Sequence, residues 1–174
     1  MAQVTLQTTR FGPITVPPER IISMEKPVLG FESSKRFVIV EHSDMFPFVW
    51  FQSLDDPDLA FLMVNPALFY PEYTIEVNIK EVEDIEVDDH SCVETYSIVT
   101  VADDQSETTI NLQGPIVVNV DTQKAKQLVL SQSNYSVREP LMKSGEKLTR
   151  VAPGDVSKDA AMKDTVKRVE TSEL

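Results

Sequence analysis

Two apolar runs joined by an acidic turn set the strongest constraint on how this chain can fold. Phe48-Val49-Trp50-Phe51 and Ala60-Phe61-Leu62-Met63-Val64 flank Ser53-Leu54-Asp55-Asp56-Pro57-Asp58. Neither run offers water a polar face, so each has to be covered on both sides, and the aromatic and β-branched content suits strands. Periodicity by itself leaves a buried helical segment open as the alternative. In the turn, Pro57 holds φ and the aspartates can bond their own backbone. The stretch from Phe46 to Tyr73 therefore reads as the central hairpin of a core, with Trp50, Phe51, Phe61 and Val64 largely buried.

The rest of the chain repeats this texture in shorter pieces. Val4 and Leu6 alternate with polar residues, and Gly12-Pro13 and Pro17-Pro18 punctuate the next segment, leaving short strands at Ile14–Val16 and Arg20–Met24. Arg36–Glu41 is a strand by its β-branched content, and Tyr73–Val77 and Glu94–Val101 are strands by alternation. Further strands are predicted at Thr108–Leu112, Ile116–Val120, Gln127–Ser131 and Tyr135–Arg138. Ile79, Val82 and Ile85 recur every three residues, which predicts a short amphipathic helix. Many short strands with frequent turns predict a mainly β, single-domain, antiparallel barrel-like fold with few short helices. No helical segment is long enough for a crossover between parallel strands.

Beyond Leu141 the composition changes. Residues 143–174 contain no aromatic residue, and their seven bases nearly cancel six acids. The expected division is a β domain at 1–142 and a flexible tail at 143–174, since the tail has too little apolar area to offset the entropy of ordering. Met162, Val166 and Val169 share a stripe within Val156–Val169, with Asp155 or Ser157 as a cap, so part of the tail can become helical against a partner.

The formal net charge is −12, with a sequence pI near 4.5. Phosphate contacts need lysine and arginine, so this balance argues against direct binding of nucleic acid or an anionic membrane and favours basic protein partners. No apolar run approaches the ~20 residues of a membrane span. The first residues lack the basic and apolar segments of a signal peptide, and the single cysteine, Cys92, excludes an internal disulfide framework. A cytoplasmic location is expected.

The charge is unevenly spread. From Glu72 to Glu107 twelve acids face one base, Lys80. This belt follows Phe69-Tyr70-Pro71-Glu72-Tyr73, where aromatic residues sit beside a turn. Aromatic anchors rimmed by charge suit a protein interface, so Phe69, Tyr70, Glu72, Tyr73, Glu81, Glu83, Asp84 and Glu86 are the candidate binding residues. Asp88, Asp89, His90 and Cys92 are the alternative, the makings of a small hydrolase or metal-assisted enzyme. Against it, the sequence has no nucleophile elbow, no glycine-rich phosphate loop and no Cys-x-x-Cys or His-Glu-x-x-His spacing. No cofactor or metal is implied.

One family unites these segments. Trp50-Phe51-Gln52-Ser53-Leu54-Asp55-Asp56-Pro57-Asp58-Leu59-Ala60-Phe61, then Asn65-Pro66 and Phe69-Tyr70, closely resemble the flagellar assembly factor FliW. Pro27-Val28-Leu29-Gly30-Phe31 and Lys35-Arg36-Phe37-Val38 are similar to its upstream segments. Asn111–Asn119, Lys126–Leu130, Tyr135 and Arg138–Leu141 are similar to its closing strands, with Gly114 where the family more often has alanine. The resemblance covers roughly Gln3 to Leu141 and omits the tail. It implies a compact β-barrel-like binding protein rather than an enzyme. Its implied partners are cytoplasmic flagellin and the RNA-binding translational regulator CsrA, which the factor antagonises once flagellin is exported.

Overall fold

The computed structural model describes residues 2–141 and, for the backbone alone, Val166–Val169. Its strands are β1 (Val4–Thr8), β2 (Gly12–Val16), β3 (Ile22–Lys26), β4 (Arg36–Glu41), β5 (Val49–Ser53), β6 (Ala60–Val64), β7 (Ile75–Asn78), β8 (Val93–Thr100), β9 (Thr109–Ile110), β10 (Ile116–Asn119), β11 (Lys124–Gln127), β12 (Glu139–Pro140) and β13 (Val166–Val169). β3, β4, β5, β6, β8, β10 and β11 pair in that cyclic order, so a seven-stranded barrel closes on itself. Closure leaves these strands no unpaired edge. β9 and β12 extend the sheet beside β8, β1 and β2 form a separate hairpin, and β7 pairs with β13.

The predicted hairpin is at the centre, with Trp50 opposite Leu62 and Phe51 opposite Phe61. Strand alternation sends Phe37, Val49, Phe51, Met63, Tyr96, Ile116 and Val118 into the barrel interior. Phe37 and Phe51 stack there with centroids 4.2 Å apart. The opposite faces are covered too. Leu62, Val64, Val99 and Val117 point outward beneath a layer formed by Tyr73, Ile75, Val77, Val82, Ile85 and Val87. On another side, Val38 and Val40 lie beneath Leu6, Ile14 and Val16 of the β1–β2 hairpin. Two covered faces are the reason the central strands lack a polar side.

Several expectations require correction. Trp50 is only half-buried: one side packs on the outer core, and the Arg10 guanidinium lies 4.1 Å over its ring. Phe61 is half-buried as well, capped edge-on by Phe31. The barrel contains one parallel pair, β3–β11, and no helix crosses between them. The strands from β4 to β10 themselves carry the chain round the barrel, so closure supplies the crossover. The strand expected at Gln127–Ser131 begins earlier, at Lys124, because Gln123 takes φ of 57° and turns β10 back tightly into β11. Near Tyr135–Arg138, pairing is limited to Glu139–Pro140. The short amphipathic helix expected at Ile79–Ile85 is present, as a 3-10 helix whose three residues per turn suit the spacing of its apolar positions. Val166–Val169, at the end of the proposed helical stripe, is a strand, because an open strand edge at β7 gives its backbone a ladder partner. The other tail residues lie outside the described residues.

The Ser53–Asp58 connection does more than reverse the chain. The Asp55 carboxylate accepts the backbone N–H groups of Lys35 and Arg36 at 2.8 Å each and pairs with the Arg36 guanidinium at 2.9 Å. The buried Gln52 amide donates to the Ser53 and Leu59 carbonyls, and Ser53 Oγ accepts from the N–H groups of Asp55 and Asp56. Thr9 N–H donates to the Pro57 carbonyl, tying in the β1–β2 turn.

Replacing Phe51 by alanine empties fully buried space and should cost about 3–5 kcal/mol, measured by urea denaturation. Trp50→Ala should cost less, because solvent and Arg10 already share its ring. Partial burial alone would raise the Asp55 pKa, but the two backbone donors and Arg36 outweigh it and hold the carboxyl below its ordinary value. A depressed folded-state pKa contributes stability that is present above the unfolded value, ~3.9, and lost as pH falls through the folded one. Asp55→Asn should therefore lower the urea midpoint at pH 7, and its deficit against wild type should shrink on acidification below about pH 4.

Candidate protein-binding surfaces

The acidic segment is docked to the barrel by polar contacts to its backbone. Asn78 caps its start, its side chain accepting the Lys80 N–H at 3.0 Å. At the other end Glu86 adopts the left-handed conformation, φ 60°, and returns its N–H to the last turn. Asn119, fully buried on β10, donates to the carbonyls of Ile85 at 2.9 Å and Glu86 at 3.2 Å. Lys126, on β11, donates to the Glu81 carbonyl and to both Asp84 carboxylate oxygens, at 2.9 and 3.0 Å. Asn119 meets the carbonyl end of the 3-10 helix, where unsatisfied acceptors concentrate negative charge, and Lys126 grips its middle.

Docking divides the candidate acids into two groups. Asp84 is committed to Lys126, and Glu86 lies 3.4 Å from the Lys124 ammonium. The second pair is exposed and contributes little. Glu81 and Glu83 are exposed and make no ion pair among the described residues, and Glu72 and Glu76 are exposed as well. Glu81 and Glu76 line a depression of about 440 Å³ together with Thr74, Leu130 and Tyr135. Within the Glu72–Glu86 stretch, Glu72, Glu76, Glu81 and Glu83 therefore carry the exposed charge that no ion pair among the described residues offsets.

The aromatic candidates sit differently from expectation. Tyr73 is buried: its hydroxyl donates to the Leu112 carbonyl at 2.7 Å, and its ring packs 4.6 Å from that of Tyr135. Burial pushes its phenol well above the ordinary tyrosine range. It is a core residue because the β7 layer folds inward at this point, and it leaves the candidate surface. Phe69 and Tyr70 are half-buried; Phe69 packs on Phe48, and the Tyr70 hydroxyl donates to the Pro140 carbonyl. Burial, with Glu139 nearby, raises the Tyr70 pKa.

The stronger apolar surface lies elsewhere. Leu29, Phe31, Val101 and Val137 are 62%, 40%, 56% and 52% exposed and line one groove of about 580 Å³ with Phe61 and Arg138. Buried Gln127 holds its rim: Oε1 accepts the Leu29 N–H at 2.9 Å and Nε2 donates to the Gly114 carbonyl at 3.0 Å. A Cβ at Gly114 would stand 2.9 Å from that Nε2, so alanine at this position requires Gln127 to shift. Sequence reading passed over this groove because its lining residues come from seven separate stretches of the chain. The one local signal was Leu29 and Phe31 flanking Gly30, apolar residues in a turn.

Asp88, Asp89, His90 and Cys92 occupy an exposed loop. Asp88 Oδ1 accepts the His90 backbone N–H at 2.8 Å and the Ser91 hydroxyl at 3.1 Å, and these two bonds hold its pKa below the ordinary value. The Cys92 N–H donates to Asp121 at 3.0 Å. The carboxylate is thus engaged in shaping the turn. Among the described residues no group of three His, Cys, Asp or Glu side chains could hold a metal, and no helix is long and apolar enough to cross a membrane.

The comparison with known families settles the lineage of this barrel. The family model described as FliW protein matches residues 5–141. The chain belongs to the FliW family. The flagellar assembly factor FliW of Syntrophus aciditrophicus (strain SB) is 38% identical over 141 residues, covering 81% of this chain and 89% of that protein. That of Geobacter sulfurreducens is 39% identical over 137 residues, covering 79% and 86%. A crystal structure of the flagellar assembly factor FliW superposes with a TM-score of 0.76 at 32% identity, covering 82% of this chain and 99% of that one. The match to FliW thus spans the barrel, the acidic segment and the groove, and the family is one of flagellar assembly factors.

Lys126→Met should separate docking from charge. It removes the cation that bridges the Glu81 carbonyl and Asp84, and the loss of a charge-assisted, mostly buried contact should cost about 1–3 kcal/mol. Hydrogen exchange should rise selectively at residues 79–86, with the barrel strands unaffected.

Proposed function

We propose that this chain binds cytoplasmic flagellin and, when freed, binds and antagonises the translational regulator CsrA, relieving repression of flagellin translation. Membership of the FliW family is the foundation, and one observation carries the reading further. The barrel presents two exposed surfaces of opposite chemistry that share no lining residue: the apolar groove at Leu29, Phe31, Val101 and Val137, and the acidic surface at Glu76, Glu81 and Glu83.

Each surface suits one partner. A protein that holds RNA phosphates carries basic surface, and clustered carboxylates speed its encounter and oppose RNA beside it. Glu72, Glu81, Glu83, Asp84 and Glu86 form that surface in our reading, with Asp84 and Glu86 maintaining its shape. An export subunit held before assembly must have its apolar contacts covered, and the groove, with Phe69 and Tyr70 as further half-buried apolar area, offers cover of that kind. No covalent chemistry is involved, nor does the chain touch RNA or a membrane itself. Regulation is linkage: whatever factor affinity one partner removes, the other loses equally.

The test uses two double variants in stopped-flow association at two ionic strengths. Glu81→Lys with Glu83→Lys should slow CsrA association about tenfold at low salt, and added salt should narrow the gap because screening shortens the field. Leu29→Ser with Val101→Ser should weaken flagellin binding while sparing the CsrA association rate. Surface changes of this type rarely cost more than ~0.5 kcal/mol each, so both variants should stay folded. Wild-type rates and affinities for both partners in both variants would overturn the reading.

A further inference from the structure

Unlike every barrel strand, β7 has no ladder partner within residues 2–141. Its alternate side chains Ile75 and Val77 are buried in the outer core, so the strand is held firmly from one side. Its ladder partner among the described residues is β13, which runs parallel in the register Val166–Ile75, Lys167–Glu76, Arg168–Val77 and Val169–Asn78. This partner comes from beyond the family match, which ends at residue 141.

From this pairing we infer that the β7 edge is a strand-acceptor site for an extended basic segment, and that the chain's own Val166–Val169 is its resident occupant. Two independent features favour that occupant. The first is main-chain pairing itself, since an exposed edge strand is a template for any extended segment and is normally covered. The second is charge. Val166-Lys167-Arg168-Val169 carries two bases and no acid, whereas β7 itself carries the exposed Glu76, and the exposed Glu81 lines the same depression as Glu76. Valines at both ends suit a strand, and bases between them suit the acidic surroundings.

Tethering makes this occupant hard to avoid. A segment joined to the same chain competes at a millimolar effective concentration, set by linker length, so a weak four-residue ladder is populated without high intrinsic affinity. A partner protein's strand has to displace the tail before it pairs with β7. Its composition should match the tail: extended, β-branched and basic, with no acid facing Glu76. β13 thereby covers the β7 edge against weakly pairing ligands and yields to one that makes a longer ladder.

Hydrogen exchange on the full chain tests this directly, with the barrel as internal control. Val166→Pro with Arg168→Pro removes two backbone donors from the tail and leaves residues 2–141 untouched. Exchange at residues 75–78 should accelerate about tenfold or more in this variant, while β5 amides keep wild-type protection. A labelled peptide of sequence Asp164–Glu170 should bind the variant at least about tenfold more tightly than it binds wild type, and restore protection to β7. Lys167→Glu with Arg168→Glu, which keeps the backbone donors, should accelerate the same amides to a smaller degree. Wild-type exchange at β7 in the proline variant, or equal peptide affinity for the two chains, would overturn the proposal. So would β7 protection that rises with chain concentration, because a second copy would then be the occupant.

Discussion

The fold depends on a buried polar knot at one end of the central hairpin. Gln52 and Ser53 are fully buried, and the hydrogen bonds of the Gln52 Nε2 and the Ser53 hydroxyl lock the Ser53–Asp58 connection into one shape. Ser53 Oγ also meets Ser34 Oγ at 3.0 Å, and Asp55 grips the first N–H groups of β4. Four parts of the chain, namely β4, β5, β6 and the β1–β2 turn, are therefore positioned by one short acidic segment. An apolar turn could reverse the chain, but it would leave these backbone donors without acceptors.

A closed barrel whose outside is also covered solves a particular problem. Closure removes edges but leaves an outer surface, and apolar residues on it need a second layer. The 65–87 excursion and the 128–141 return provide that layer on one side, and the β1–β2 hairpin provides it on another. The excursion has one apolar side, Val82 and Ile85, and one charged side, so the act of covering the barrel also brings carboxylates to the surface. Asn119 binds its backbone end and Lys126 binds the Glu81 carbonyl and the Asp84 carboxylate, which keeps the charged face fixed relative to the barrel. Binding surface and core cover are two faces of a single element.

The apolar groove arises from a different circumstance. The Leu29–Phe31 turn has to approach the barrel mouth because Gln127 holds its backbone, and the Phe31 ring then meets Phe61 edge-on at 5.0 Å. Leu29 cannot join the interior from that position. A turn fixed by one buried amide therefore exposes its own apolar side chains, and Val101 and Val137 complete the patch from the far side.

Local residue chemistry determined much of this protein. Apolar runs without a polar face required strands covered on both sides, Pro57 and the aspartates required a turn, and the three-residue spacing of Ile79, Val82 and Ile85 required a tight helix. The motif from Trp50 to Phe61, with Gln52, Ser53 and Asp55 around that turn, pointed to the FliW family by its resemblance. Tertiary structure alone decided which of several similar residues faces inward. Tyr73 and Tyr70 both flank the same turn, yet only Tyr73 has the Leu112 carbonyl within reach and is enclosed by the outer layer. Lys126 looks like a surface base in a short polar strand, and burial beside Asp84 makes it an anchor. The parallel β3–β11 closure and the groove were equally illegible, because each joins residues far apart in the chain. Periodicity records which face of a segment is apolar, but only packing determines what lies opposite that face.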